Sequence, residues 1–442
     1  MMQPGPVAGR LTGMRKALGM AAGVVAAALV AAGCGSAPAP RLPSRVVISR
    51  GVAAHEPAAN PRPYGAADTA FGLDVLGAWC TAGPRDNVVL SPASLATGLG
   101  MAYLGARGGT ARAMARALHL PVAGGQALEA GLQARSAGLR GLGGPGVTLA
   151  DSNQVWADPS LPAQRGYLNA VATGYGAGVR QVPLLSRPDQ AAQQINHAVK
   201  AATRGQIPQL LSPGSLRSIG WVLSNALYLH AAWATPFPAS QTSPGPFAAA
   251  GGRLVTASYL HGGAYRTARE GGWTAVWLPY RGGKLAMVAL LPPAAGAGGC
   301  AMPAAAALDS ITARLAAGGT ASQPGGTSTA AVALPKVSLS SRASMQDLLT
   351  GLGMGVAFSG SADFTGLSPK ACCIGLVEHA ATLRVAEKGT VASAATAVGM
   401  APTAVRVQPA QIVFDRPYLL LVTSIATGEP LFLARVANPA AS

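Results

Sequence analysis

The sequence predicts an α+β fold with mainly antiparallel sheets in one domain, and three observations support this. Apolar residues recur at helical spacing in the segments between Thr69 and Leu118. From Gly146 onward, Val, Leu, Trp and Tyr occupy alternate positions in short runs that end at Gly or Pro. Helices therefore dominate early and strands late, without the βαβα alternation of a parallel sheet, and no internal repeat is visible.

The chain ahead of the first helix is rich in Ala and Pro and poor in large apolar residues. Residues 35–65 are therefore predicted to form an extended linker. The first helix is predicted over 69–80, with a Gly83-Pro84 turn after it, and further helices over 94–104 and 110–118.

The later elements follow in chain order. Strands are predicted over 146–156, 218–229, 274–278 and 285–291. Residues 294–329 are rich in Gly, Ala and Ser around one short helix near 309–315, and we predict a surface insertion there. From Leu334 onward the chain is predicted to be mostly strands, with one helix over 345–352.

The amino terminus has the order of an export signal. Basic residues precede an apolar run over 17–32, which is short for a membrane span, and Gly33 and Cys34 follow. Residues 30–34 resemble a bacterial lipobox, although Ala31 stands where Leu is usual. We therefore predict a signal peptide over 1–33, lipidation of Cys34, and a location outside the cell, anchored to the outer face of the membrane. Plain secretion is the alternative.

Four further cysteines remain: Cys80, Cys300, Cys372 and Cys373. Their spacing fits no zinc site, and neighbours in sequence rarely bridge each other because a disulfide needs separated Cα atoms. We expect mostly buried thiols rather than a disulfide scaffold, and one distant pair stays open.

The formal net charge of +17 suits nucleic acid, a membrane surface or another polyanion as partner. The basic residues are mostly isolated arginines, with no run of four or five and no interleaved aromatic stripe. Specific nucleic-acid binding is therefore not predicted, whereas a polyanion partner stays open.

The chemistry of an enzyme is not evident. The sequence contains no Gly-x-Ser-x-Gly elbow, no His-Glu-x-x-His helix and no phosphate-binding loop with Lys. Its six histidines do not pair at ligand spacing. We predict a protein that is not an enzyme and needs no cofactor or metal.

A series of motifs resembles the serpins, in serpin order from about residue 66 to 439. The motifs are Asn87–Ser94, Leu104–Thr110, Ile195-Asn196, Thr203–Ile207, Ser224–Tyr228 with Trp233, Leu278–Tyr280, Leu334–Lys336, Ala362–Gly366, His379, Glu387–Thr390, Phe414–Tyr418 and Leu431–Pro439. Together with the lipobox, they indicate a bacterial, actinobacterial-like member of that family.

The resemblance implies a serpin-like domain over 66–439 with three mainly antiparallel sheets, about nine helices and an exposed reactive loop. It also implies irreversible inhibition of a serine protease, by a monomer that is consumed. The protease cleaves the loop as a substrate, and the amino-terminal half of the loop then inserts into the large sheet with the acyl-enzyme attached.

The loop has the composition that insertion requires, because a central strand needs every backbone N–H and small inward side chains. From Thr390 through Ala401 the sequence has no charge and no proline. The hinge residues are Glu387, Gly389, Thr390, Ala392, Ala394 and Thr396. Val391 stands where Glu is usual in the family.

The resemblance implies an attacked bond sixteen residues after Glu387, as in the family generally, which is Thr403-Ala404. Small residues on both sides favour an elastase-like or subtilisin-like target. Arg406-Val407, which would suit a trypsin-like protease, and Met400-Ala401 stay open as alternatives.

The support residues follow from the motif matches. Ser91, Ser94, Asn225 and His379 correspond to the shutter beneath the opening sheet, and Trp233 with Glu387 to the breach where insertion begins. A non-inhibitory carrier with the same fold, or a surface polyanion-binding protein, is the rival hypothesis.

Overall fold

The computed structural model describes residues 46–294, 299–318, 327–390 and 411–441, and these form an α+β fold as predicted. The described residues contain eight α-helices, one fewer than expected, of which the last is a single turn. The helices are α1 (Arg62–Ala82), α2 (Pro92–Tyr103), α3 (Gly108–Ala117), α4 (Gly125–Arg140), α5 (Arg165–Tyr175), α6 (Pro188–Ala202), α7 (Ala305–Ala317) and α8 (Gln346–Leu349).

Seventeen strands lie in the described part of the chain. They are β1 (Val47–Ser49), β2 (Val88–Leu90), β3 (Val147–Asp151), β4 (Gln154–Ala157), β5 (Val179–Gln181), β6 (Trp221–Ala232), β7 (Ser243–Ala248), β8 (Leu254–Glu270), β9 (Trp273–Pro279), β10 (Leu285–Leu291), β11 (Ser328–Pro335), β12 (Val337–Ser344), β13 (Val377–Ala386), β14 (Gly389–Thr390), β15 (Gln411–Val413), β16 (Tyr418–Ser424) and β17 (Pro430–Val436).

The described strands form two hydrogen-bonded sheets rather than the predicted three. The first has the order β1-β5-β4-β6-β14-β13-β12, with β3 also on β6; the second has the order β15-β11-β8-β9-β10-β16-β17-β2, with β7 on β8. The difference arises because β8 is 17 residues long and pairs with β7 near its start and with β9 at its end. One continuous strand thereby joins what would otherwise be two sheets.

The two sheets enclose an apolar core. Leu227 and Leu383 of the first sheet pack with Val276 and Met287 of the second. On the outer side of the first sheet, the apolar face of α6 covers Val222 and Ala226 of β6. The first sheet is therefore covered on both faces, which explains the continuous apolar run of β6.

Helix α2 begins at Pro92, two residues before the predicted start at Ser94. Ser91 is its N-cap, and the Ser91 side chain accepts a hydrogen bond from the Ser94 N–H at 3.1 Å. Pro92 follows at the first helical position, where a missing N–H costs nothing. Every residue of α2 is buried, so this helix lies within the core beneath the first sheet.

Two predictions about irregular segments were wrong. Residues 294–329 are not simply a surface insertion, because α7 buries Leu308, Ile311 and Leu315 completely in the main core. The predicted linker is too long at its carboxyl end, since β1 pairs with β5 and α1 already begins at Arg62. The rest of that linker, the predicted signal peptide and Cys34 lie outside the described residues.

The cysteines divide into one disulfide and two thiols. Cys80, in α1, bridges Cys300 across a sequence separation of 220 residues, so the distant pair that the sequence left open is present. Cys372 is exposed and Cys373 is partly buried, so the expectation of mostly buried thiols was wrong for Cys372. Within the described residues, no helix is long and apolar enough to cross a membrane.

Candidate functional site

The site is the seam between β6 and β13, the two central strands of the first sheet. These strands are parallel and pair directly from Leu223 opposite Val377 to Leu227 opposite Ala381. Beyond that point they separate, and the two residues of β14 lie between them. Gly389 and Thr390 pair antiparallel with β6 on one side and with β13 on the other.

The register of β14 matches the register of the seam. Gly389 lies opposite Ala232 of β6 and opposite Ala386 of β13. Ala232 and Ala386 are separated in residue number by the same interval as Leu223 and Val377, which pair directly with each other. A strand that continued from β14 between β6 and β13 would therefore keep one register with both neighbours.

Thr390 is fully buried, and its hydroxyl is hydrogen-bonded to the hydroxyl of Tyr280 at 2.6 Å. Tyr280 in turn stacks on Trp233, with ring centroids 4.5 Å apart. Burial raises the pKa of Tyr280, so its hydroxyl stays protonated. The first inserted side chain thus ends in an aromatic pocket and satisfies a buried polar group there.

The backbone at the hinge requires glycine. Gly389 has φ +150°, and a Cβ atom there would collide with the carbonyl oxygen of Ala231. The close approach exists because Gly389 lies directly against β6. A side chain at this position would push the hinge out of the sheet.

Trp233 and Glu387 hold the chain as it enters the hinge. The Trp233 indole N–H donates to the Ala386 carbonyl at 2.9 Å, and its backbone N–H donates to the Lys388 carbonyl at 3.0 Å. The Glu387 carboxylate accepts hydrogen bonds from Lys336 at 2.8 Å and from Thr242 at 3.1 Å. Partial burial acts to raise the pKa of Glu387, but the hydrogen bonds and the Lys336 charge outweigh it, so the pKa lies below its usual value.

The four predicted shutter residues lie together at the closed part of the seam. The Ser91 backbone N–H donates to Nε2 of His379 at 3.1 Å, and the Ser94 hydroxyl donates to Asn153 at 2.6 Å. His379 lies opposite Asn225 in the register of the seam. Both are fully buried, and burial lowers the pKa of His379 to about 3. The imidazole is therefore neutral, with its proton on Nδ1.

Two polar groups at this point have no hydrogen-bond partner within the described residues. They are Nδ1 of His379 and the side-chain amide of Asn225. A buried polar group without a partner costs about 1–3 kcal/mol. Among the described residues, these groups of His379 and Asn225 therefore lack hydrogen bonds where β6 and β13 pair directly.

A buried ion cluster that the sequence did not predict lies next to the shutter. Arg135 of α4 donates to Asp68 of α1 at 2.7 Å and to Glu429 at 2.6 Å, and also to the Ala93 carbonyl in α2. Burial raises the pKa of Asp68 against the opposing charge of Arg135, and nearby Glu429 raises it further. The cluster ties α1, α2 and α4 to the turn between β16 and β17.

The remaining predicted loop residues lie outside the described residues. These are Ala392, Ala394, Thr396, Met400, Ala401, Thr403, Ala404, Arg406 and Val407. Among the described residues, no group of three or more acidic, His or Cys side chains could hold a metal ion.

Comparison with known proteins agrees with a sheet that holds a strand between two parallel neighbours. The family model described as serpin (serine protease inhibitor) matches residues 66–439. The chain belongs to the serpin family. An uncharacterized serpin-like protein of Thermococcus kodakarensis is 31% identical over 363 residues, covering 81% of this chain and 82% of that protein. The leukocyte elastase inhibitor of Bos taurus is 30% identical over 383 residues, covering 85% and 99%.

Solved serpin structures share the fold. Uncleaved ovalbumin aligns with a TM-score of 0.72 at 22% identity, over 85% of this serpin and 100% of ovalbumin. The thermophilic serpin tengpin, in its native state, aligns with a TM-score of 0.73 at 20% identity, over 89% and 100%.

Proposed function

We propose that this serpin is an irreversible, suicide-substrate inhibitor of serine proteases, which it traps by inserting its cleaved loop into the seam between β6 and β13. The observation that carries the proposal is β14. This strand already occupies the open end of the seam, in the register that the rest of the loop would follow.

The register of β14, if it continued along the loop, would bring small loop residues against buried neighbours. Each further residue moves one position back along both β6 and β13. Ala394 would then lie between Leu227 and Ala381, which are both buried. An alanine fits such a position without a cavity or a clash, whereas a charge does not.

The same register supports a role for Thr396. It would lie between Asn225 and His379, the two residues with unsatisfied polar atoms in the closed seam. A hydroxyl can both donate and accept, so Thr396 could satisfy either group. Insertion would thereby relieve the polar defect of the seam, in addition to forming about ten backbone hydrogen bonds of about 0.5–1.5 kcal/mol each.

The proposed target is an elastase-like or subtilisin-like protease attacking Thr403-Ala404, because the residues around that bond are small. Relatives whose names describe them as leukocyte elastase inhibitors support this preference. Attack at Arg406-Val407 by a trypsin-like protease, and attack at Met400-Ala401, are the alternatives.

We also propose that the protein is a bacterial lipoprotein, exported and anchored through Cys34. The Cys80–Cys300 disulfide supports export, since structural disulfides persist mainly in oxidising compartments. Mass spectrometry of the mature amino terminus tests this.

The inhibitor proposal is tested by mixing the purified protein with an elastase, subtilisin and trypsin. We expect a covalent complex that survives denaturation, and sequencing of the released carboxyl-terminal peptide identifies the attacked bond. Clean cleavage without a complex for all three proteases would contradict the proposal and favour the non-inhibitory carrier.

A further inference from the structure

The segment ahead of α1 is bound to the domain as a strap over residues 46–60. Its β1 strand pairs with β5 at the edge of the first sheet. The strap then crosses α5, where the N–H groups of Val52 and Ala54 donate to Asn169 and Thr173, both at 2.9 Å. Gln133 of α4 donates to the Ala54 carbonyl at 2.9 Å. These contacts hold the strap in a defined position.

The β1 strand of the strap lies at the end of the sheet that is remote from the hinge. Val47 pairs with Gln181, Gln181 with Ala157, and Ala157 with Trp221, the first residue of β6. The hinge residue Gly389 pairs with Ala232, the last residue of β6. Because β6 has 12 residues, the two levels lie about 35 Å apart along the strand.

This edge combines exposed apolar side chains with positive charge. Of the six large apolar residues that are exposed in the described part of the chain, three lie here: Val47 (59% exposed), Val52 (74%) and Leu185 (47%). Leu185 comes four residues after Gln181, the partner of Val47.

The charged residues of the edge are mainly arginines. Arg50, which directly follows β1, and Arg187, at the start of α6, are exposed, whereas Arg180 of β5 is half-buried with its guanidinium over the ring of Trp156. Of the acidic residues nearby, Glu56 and Asp158, which accepts the N–H of Leu185 at 2.9 Å, are buried, and Asp189 is exposed two residues after Arg187. The edge therefore presents apolar side chains and guanidinium groups together.

We propose that this edge of the first sheet, formed by the strap and residues 179–187, is the surface by which the protein contacts an anionic lipid bilayer. Guanidinium groups attract the phosphates of an anionic leaflet, and the apolar side chains can enter its interface. The length of the chain agrees, because Cys34 precedes Val46 by twelve residues, a reach of at most about 40 Å. The agreement in chain length depends on the proposed lipidation of Cys34, whereas the proposed contact surface does not.

The proposed contact leaves the inhibitory end of the molecule free. With the strap against the bilayer, the hinge lies about 35 Å farther along β6. A soluble protease would then approach the loop from the side away from the membrane.

The test uses the chain from residue 35 onward, so that binding cannot come from the apolar run of the predicted signal peptide or from a lipid anchor on Cys34. It is sedimented with vesicles of phosphatidylglycerol and phosphatidylcholine, and with vesicles of phosphatidylcholine alone. We expect binding to the anionic vesicles only, weakened by salt. Arg50→Gln should weaken it about fivefold, which corresponds to the loss of one cation near a charged leaflet.

A matched pair of triple variants tests the location. Val47→Ser, Val52→Ser and Leu185→Ser together should abolish vesicle binding. The control carries Ser at the three other exposed apolar positions, Val122, Leu254 and Val413, and should bind as the parent does. Equal loss in both variants, no vesicle binding by the parent, or self-association through the β1 edge without vesicles would overturn the proposal.

Protease inhibition by the same proteins separates this proposal from the inhibitor proposal. Both triple variants should still form covalent complexes. A parent protein that binds vesicles but forms no complex would refute inhibition and leave the membrane surface standing.

Discussion

A charge placed on the inward face of the loop should convert the inhibitor into a substrate. In the extrapolated register, Ala394 would insert between Leu227, which is 3% exposed, and Ala381, which is fully buried. An aspartate there would bury an unpaired carboxylate at a cost of about 3–5 kcal/mol. Since 1.36 kcal/mol is a factor of ten, the ratio of trapped to released protease should fall at least about 100-fold in Ala394→Asp.

The control is a carboxylate on the outward face. Val391 would insert between His230, which is partly exposed, and Arg384, which is exposed. Val391→Asp therefore keeps its charge near water and beside a guanidinium, where an ion pair costs little. This variant should trap protease nearly as well as the parent.

The assay is the number of inhibitor molecules consumed per protease molecule inactivated, with the covalent complex measured on denaturing gels. Both variants should be cleaved at the same bond. If Val391→Asp loses the complex as fully as Ala394→Asp, or if Ala394→Asp still traps protease, the register derived from β14 is wrong.

Three further predictions concern stability. Burial lowers the pKa of His379 to about 3, below an unfolded value of about 6.5, so the neutral form stabilises the fold fully above pH 6.5. Acidification from pH 7 to 5 should therefore lower the free energy of unfolding by about 2 kcal/mol. In denaturant titrations, His379→Gln should flatten this dependence on pH. Arg135→Met should lower the free energy of unfolding by about 3–5 kcal/mol because it leaves the buried acidic pair Asp68 and Glu429 without its cation and hydrogen-bond donor, whereas exposed Arg85→Met should not; equal losses would rule out the cluster as the cause. Replacing Cys80 and Cys300 by Ser should cost about 2–4 kcal/mol in thermal melts, and an unchanged melting temperature, as expected for the control Cys372→Ser, would show that the bridge does not stabilise the fold.

Local patterns predicted the elements whose signals are local. Helix α2, within two residues of its start, and the apolar strands β6, β9 and β10 all follow from the spacing of apolar residues and from Gly and Pro at their ends. The seam residues could be brought together only through the family resemblance, because Ser91 and His379 are 288 residues apart.

Contacts between distant residues were not predictable in this way. Arg135 lies in a helix rich in Ala and Gly, and its partners Asp68 and Glu429 are 67 and 294 residues away. The strap was missed because side chains of α4 and α5 hold its backbone, and nothing in its own composition marks it as bound. A helix was predicted near α7, but the Gly, Ala and Ser residues around it suggested a surface insertion and hid the burial of Leu308, Ile311 and Leu315.

The register of β14 also determines where a captured protease would stop. Continued along β6 as far as Thr403, it ends level with Ser218, just beyond Trp221, where the strand begins. That is close to the level of Val47 in β1, which is level with Trp221. A protease carried to that level would occupy the surface through which the unreacted protein would contact the bilayer. Trapping of a protease and membrane contact would therefore compete. Each completed inhibition would then loosen the spent molecule from the surface, and vesicles should release the complex more readily than the unreacted protein.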